Sequence, residues 1–213
     1  MAIEKALDNI LDMPSKVKIL RLFASKREDF IAGGREIARL TGISPPAAHA
    51  ALKDLHGAGV LRRTISGRQH LYSLNTGNRN VTAIILPAFR KELSTGQDII
   101  KFLRERVKFY GLENKILSLV IYGSFQRKSS CESSDIDICV VVGEKASLRE
   151  IEDIFVEKIS AEFYDCFAAH LDAYIKGRRE FIKLLKKNLP PVSTLFKSYD
   201  VVFGDDPAEM IKT

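Results

Sequence analysis

Asp135 and Asp137 stand two apart in the run Ser134-Asp135-Ile136-Asp137-Ile138-Cys139-Val140-Val141-Val142. Beyond its opening the run is apolar at every position, which reads as a strand buried on both faces. Side chains alternate along a strand, so both carboxylates project to one side, with Cα atoms roughly 6.5–7 Å apart. Two carboxylates so placed repel each other unless a cation lies between them. Hard oxygen ligands on one face suit Mg²⁺, which leaves its other positions to water and phosphate. Ten residues before Asp135, an earlier strand, Leu117 to Tyr122, runs directly into Gly123-Ser124. A glycine there lets the backbone approach a phosphate closely, and Ser124 adds a hydroxyl and an N–H donor. A phosphate-binding turn beside a carboxylate pair is the layout for metal-assisted nucleotidyl transfer. The metal would activate an attacking hydroxyl and stabilise charge at the α-phosphate.

Gly123-Ser124, a ten-residue gap and Asp135-Ile136-Asp137 resemble the GS…DxD motif of the DNA polymerase β nucleotidyltransferase superfamily. The likeness runs over roughly residues 115–205 and is greatest to the small minimal nucleotidyltransferases. It implies an α+β fold with a mixed sheet and flanking helices. It also implies Mg²⁺-dependent transfer of a nucleoside monophosphate, AMP first among the candidates, from a triphosphate to an acceptor hydroxyl. By the same resemblance Gly123, Ser124, Arg127 and Ser134 bind the nucleotide, and Asp135 and Asp137 are catalytic metal ligands. Two departures mark the loop, where Gln126 stands for the usual alanine and Lys128 for the usual glycine. The family also uses a third carboxylate on a later strand, and here Asp172 in Ala169–Ile175 is the candidate. With Asp172 as a ligand, two Mg²⁺ ions are expected. Asp165 reads as the end of the preceding helix, and His170 as a structural residue.

Other elements must hold these groups. A helix from Leu148 to about Phe167 carries Ile151, Phe155, Ile159, Phe163 and Phe167 at four-residue spacing. A later basic helix holds Arg178, Arg179, Lys183, Lys186 and Lys187 around Phe181, Ile182, Leu184 and Leu185; it reads as a solvated face or a guide for a polyanion. Ser198–Gly204 reads as a closing strand.

The first third follows a different pattern. Pro14-Ser15 opens a helix with Val17, Ile19, Leu20, Leu22 and Phe23 on its apolar face. Arg35–Leu40 forms a second helix, closed by Thr41-Gly42. Ser44 as N-cap and Pro45 at the first helical position start a third, through Leu52 and Leu55 to Gly57. Two short strands, Val60–Ile65 and Gln69–Leu74, then flank a turn at Ser66-Gly67-Arg68. Three helices and a hairpin resemble the winged-helix transcription regulators. The resemblance implies that Ser44, His49 and Lys53 face DNA, with Arg62, Arg63 and Arg68 on or near the wing. The third helix is poor in base-reading groups, since Ala47, Ala48, Ala50 and Ala51 offer no hydrogen bonds.

Charge agrees with that division. Residues 1–75 carry 12 Lys/Arg against 7 Asp/Glu, whereas 76–213 carry 21 against 20, so nearly all of the +6 net charge lies in the first third. This is the footprint expected of a polyanion partner. No apolar run reaches the roughly 18 residues needed to span a bilayer, and the N-terminus lacks the pattern of a signal peptide. Cys131, Cys139 and Cys166 form no CxxC pair and read as free thiols of a reducing cytoplasm. The expected division is a winged helix over 1–75, a helical connector over 76–114 and a nucleotidyltransferase domain over 115–213. Ile3, Leu7, Ile10 and Leu11 have the spacing of a dimerising helix, so a homodimer is a candidate assembly.

Three functions fit this reading: a transferase with a DNA-binding winged helix, a regulator whose second domain only binds nucleotide or mediates assembly, and an antitoxin-like protein acting on a partner. The residues leave the acceptor open.

Overall fold

The computed structural model describes residues 5, 7–123, 135–187 and 192–211. The chain divides into two compact units, 1–96 and 97–213. The expected connector is shared between them, with its first helix in one unit and most of its second in the other.

In the first unit, α1 (Pro14–Ala24) begins at its proline. A two-residue strand, β1 (Ala32–Gly33), leads into α2 (Gly34–Thr41), which stops at Gly42. Next comes α3 (Pro45–Gly57), where the Ser44 hydroxyl accepts from the Ala47 N–H at 3.4 Å, so the cap read from sequence is formed. The strands β2 (Leu61–Ser66) and β3 (Gln69–Leu74) pair with Ser66 opposite Gln69. That leaves a two-residue turn, and Gly67 supplies the positive φ of +58° it demands. β1 adds to the far side of β3, Ala32 opposite Tyr72. Ile19, Leu20, Ile37, Leu52, Leu55 and Val60 fill the core. The order helix, helix, helix, hairpin is that of a winged helix. A π-helical turn (Val81–Ile85) precedes α4 (Leu86–Leu93). The Leu86 N–H donates to the Val81 carbonyl to close that turn, and Pro87, which has no N–H, stands in the first turn of α4. Bonds from Arg21 to Glu92 (2.7 and 2.8 Å) and from Arg90 to Glu28 (3.1 Å) tie α4 to this unit.

The second unit opens with α5 (Thr95–Phe109), then β4 (Ile116–Tyr122) and β5 (Asp135–Val142). Next come α6 (Leu148–Asp153), a π-helical segment (Ile154–Ile159), α7 (Ser160–Phe167) and β6 (His170–Gly177). It closes with α8 (Arg178–Lys186), α9 (Val192–Leu195), β7 (Tyr199–Gly204) and a 3₁₀ turn (Glu209–Ile211). The described strands form one mixed sheet in the order β6-β5-β4-β7. β5 and β6 are parallel, and the other pairings are antiparallel.

Alternation along the strands decides what each face buries. Ile136, Ile138 and Val140 face a core completed by α5, α6, the π-helical segment and α7 through Leu103, Ile151, Phe155 and Phe163. Cys139, Val141, Val120 and Tyr122 face the opposite side, where Phe181 of α8 and Val192 and Leu195 of α9 cover them. Phe181 is fully buried, and truncating such a side chain costs about 3–5 kcal/mol. The four-residue spacing of Ile151, Phe155, Ile159 and Phe163 outruns the 3.6 residues of an α-helical turn. The π segment widens the turn and keeps all four on one fully buried stripe. Arg104 and Arg106 of α5 are structural ties. Arg104 Nε donates to the Val202 carbonyl at 2.6 Å, and Arg106 pairs with Glu162 at 3.0 Å. No helix among the described residues is long and apolar enough to cross a membrane.

Candidate functional site

The acidic site is built at one end of the second sheet, on the face that α8 and α9 cover elsewhere. β4 ends at Tyr122, directly opposite Asp137 of β5. The next residue, Gly123, turns with φ +86°. A methyl group there would overlap Asp137 Oδ2 and stand only 3.0 Å from its Cγ. Glycine is thus required twice, for the positive φ and for the carboxylate seated against the turn. The group against the turn is the Asp137 carboxylate, whereas the sequence led us to expect a phosphate there.

Asp137 in turn lies beside Asp172, its partner in the parallel pairing of β5 with β6, and Asp135 lies beside His170. All four share one side of their strands. Asp137 is half-buried, while Asp135, His170 and Asp172 are exposed. Tyr122, paired opposite Asp137, is buried. Burial first, then the nearby carboxylate of Asp137, the Cys139 thiol and Asp172, push its pKa far above the ordinary range, so it remains a neutral hydroxyl. Burial likewise lifts the Cys139 thiol to about 12, which makes it core and not a nucleophile. Asp165 falls within α7.

The donor set is of the hard-oxygen type that suits Mg²⁺. Among the described residues no three His, Cys, Asp or Glu side chains are gathered tightly enough to hold a metal ion. Mg²⁺ needs no such cage, because it binds through one or two carboxylates with waters and substrate phosphates completing its shell. Asp135 and Asp137 fit that mode. The expected nucleotide contacts Ser124, Arg127 and Ser134 lie outside the described residues.

In the first unit a groove of about 690 Å³ runs between the start of α2, the first half of α3 and the wing. His49 and Arg68, both expected at DNA, line it together. So do Arg35, Gln69 and His70, which the sequence reading did not single out. The Gly33-Gly34-Arg35 entry to α2 was the available signal for Arg35. Lys53 and Arg63 are exposed but outside the groove lining. Arg62 is held back, its Nε donating to Asn75 Oδ1 at 2.9 Å. Ser44 spends its hydroxyl on the α3 cap.

Comparison with known proteins agrees with both halves. Residues 97–188 match the family described as polymerase beta, nucleotidyltransferase, and residues 17–64 match the IclR helix-turn-helix domain. The chain therefore joins a helix-turn-helix domain to a polymerase β-type nucleotidyltransferase domain. Similar solved structures include the predicted DNA-binding transcriptional regulator from E. coli. It is 25% identical with a TM-score of 0.34, over 40% of this chain and 84% of that one. ZitR of Lactococcus lactis is 25% identical with a TM-score of 0.33, over 47% and 70% of the two chains. A possible transcriptional regulator from Methanosarcina mazei Go1 is 13% identical with a TM-score of 0.32, over 47% and 88%. No curated protein matches the sequence.

Proposed function

We propose that the second unit transfers a nucleoside monophosphate, AMP in the first instance, from its triphosphate to an acceptor hydroxyl, and that the first unit binds DNA. One observation carries the transferase reading: Asp137 is seated against a turn that only glycine can make, with Asp172 beside it on the next strand. Gly123 and Ser124 bind the triphosphate on the β4 side. Asp135 and Asp137 would hold Mg²⁺, which would supply charge neutralisation at the α-phosphate. Asp172 serves the acceptor side of the same face. DNA binding draws support from the helix-turn-helix match and from the grouping of Arg35, His49, Arg68 and His70 around one groove.

A second reading, nucleotide binding without transfer, is favoured by the departures of Gln126 and Lys128 from the alanine and glycine usual in the family's loop. Paired measurements separate the two. Calorimetry with Mg²⁺ and a nucleoside triphosphate should show binding by the wild type and its loss in Asp137→Asn, with DNA binding intact. Equal affinity in the mutant removes Asp137 from the metal site. Transfer of radiolabel from the triphosphate in cell extract should then fall at least 100-fold in Asp172→Ala, with nucleotide affinity nearly unchanged, because that carboxylate acts chiefly in the transition state. A wild type that binds Mg²⁺-nucleotide yet labels nothing establishes the binding-only reading.

A further inference from the structure

The groove of the first unit has a floor as well as a charged rim. Leu52 of α3 and Tyr72 of β3, only 1% and 4% exposed, line it from below, with Ala32 of β1 beside them. Its volume of about 690 Å³ falls in the roughly 300–1,000 Å³ usual for small-molecule sites. Gly33 and Gly34 keep it open, since both line it without a side chain. A Cβ at residue 34 would stand 3.5 Å from Leu52 Cδ1 and one at residue 33 would stand 3.9 Å from Leu71 Cδ2, both ordinary contacts. A side chain would fit there, and a large one would fill the groove.

Three polar features of the groove lack a protein partner. The Tyr72 hydroxyl makes no hydrogen bond among the described residues, yet it is not sealed from solvent, so it opens on the groove that its ring lines. A polar group that far below the surface calls for a bonding partner. No side chain caps α2, whose first-turn residues Gly34, Arg35 and Glu36 all line the groove; the start of a helix favours an anion. Arg35 of α2 and Arg68 of the wing have no ion-pair partner among the described residues, whereas Glu92 and Glu28 hold Arg21 and Arg90.

These groups define the ligand. A guanidinium fork matches the paired oxygens of a carboxylate. Glu36 stands in the same lining, so Arg35 and Arg68 leave a balance of one positive charge, which suits one carboxylate and penalises a polyphosphate. Ile31, Ala32, Leu52 and Leu71 make the apolar lining aliphatic and suit an aliphatic body. A DNA duplex resting on exposed Arg35, His49 and Arg68 meets the rim from outside and leaves Leu52 and Tyr72 uncovered.

We propose that this groove binds a small aliphatic monocarboxylate, and that ligand and DNA exclude each other because both need Arg35 and Arg68. The carboxylate lies between the two guanidinium groups and accepts from the Tyr72 hydroxyl, with the body over Ala32 and Leu52. The site stands without the DNA reading, and only the exclusion rests on it.

The test uses the full chain and three probes: octanoate, octanamide, which has the body without the charge, and acetate, which has the charge without the body. By calorimetry octanoate should bind at least 10-fold tighter than either of the others. Tyr72→Phe should weaken octanoate by about 10-fold or more, the range of one hydrogen bond to a charged group, and leave octanamide unchanged. Arg35→Ala should bring octanoate close to octanamide. Gly34→Leu should abolish octanoate binding by filling the groove while still binding a mixed-sequence duplex, which also reports the fold. Octanoate at about ten times its Kd should weaken duplex binding by the wild type about 10-fold, and the same concentration of acetate should not. Octanoate no tighter than the other two probes, or unaffected by both Tyr72→Phe and Arg35→Ala, would overturn the site. Octanoate that binds without weakening duplex binding would overturn the exclusion. A wild type that binds octanoate and no duplex sinks the DNA reading alone.

Discussion

Replacing Gly123 with alanine tests the acidic site at its most constrained atom. Two costs follow from the structure. The first is backbone conformation: φ of +86° places an L-residue in the left-handed half of the map, at roughly 1–2 kcal/mol. The second is steric. The added methyl overlaps Asp137 Oδ2, so the carboxylate must retreat by about 1 Å, and a displacement of that size costs about 100-fold in a positioned reaction. A loss of 1–2 kcal/mol in the unit spanning 97–213 lowers its melting temperature by about 3–12 °C. The assay is a melting curve beside Mg²⁺-nucleotide affinity and transfer rate. We expect a modestly lower melting temperature and at least 100-fold slower transfer. Gly123→Ala with wild-type transfer and melting would refute the claim that Asp137 is seated against this turn. A melting loss with wild-type transfer would separate the backbone strain from the site and refute the second half of the argument.

On the wing, Arg68→Ala should weaken DNA binding for many sequences alike and reduce the slope of log affinity against log salt by about one. Arg62→Ala should change that slope by much less, because Asn75 already holds the guanidinium; equal slopes for the two variants would contradict this. Cys139 and Cys166 should differ in reactivity: iodoacetamide at neutral pH, read by peptide mapping, should label exposed Cys166 and spare buried Cys139. The folded chain holds the Cys139 proton up to about 12, whereas a free thiol loses it near 9.0. This contribution to stability is therefore complete below pH 9 and declines as pH rises from there toward 12, which denaturant titrations across that window should show.

Much of the architecture was written locally. Ser44-Pro45 announced the start of α3, Gly67 the hairpin turn, and the unbroken apolar run after Asp137 a strand covered on both sides. What escaped the sequence depends on distant partners. Nothing in Ala32-Gly33 signals a strand, because β1 exists only through its pairing with Tyr72 and Leu71. Arg62 looked equivalent to Arg63 until Asn75, thirteen residues on, was seen to capture it. The stacking of His170 on Tyr164 was not legible, because the two belong to different elements and only the fold brings their rings together. The four-residue apolar repeat after Leu148 was visible, yet the π segment it requires was not, since the repeat fits either kind of turn until burial chooses.

That π segment also governs how the acidic site responds to changes in chain length. The parallel pairing of β5 and β6 is fed by the connection from 143 to 169, and a slip of one residue would turn Asp172 away and bring Leu171 or Ala173 to the face of Asp137. A wide turn inside the connection acts as slack. Deleting one residue within 154–159 can convert it to ordinary α-helix, absorbing the change before it reaches β6. The same deletion between Ala169 and Asp172 has no such slack, and the carboxylate row is lost.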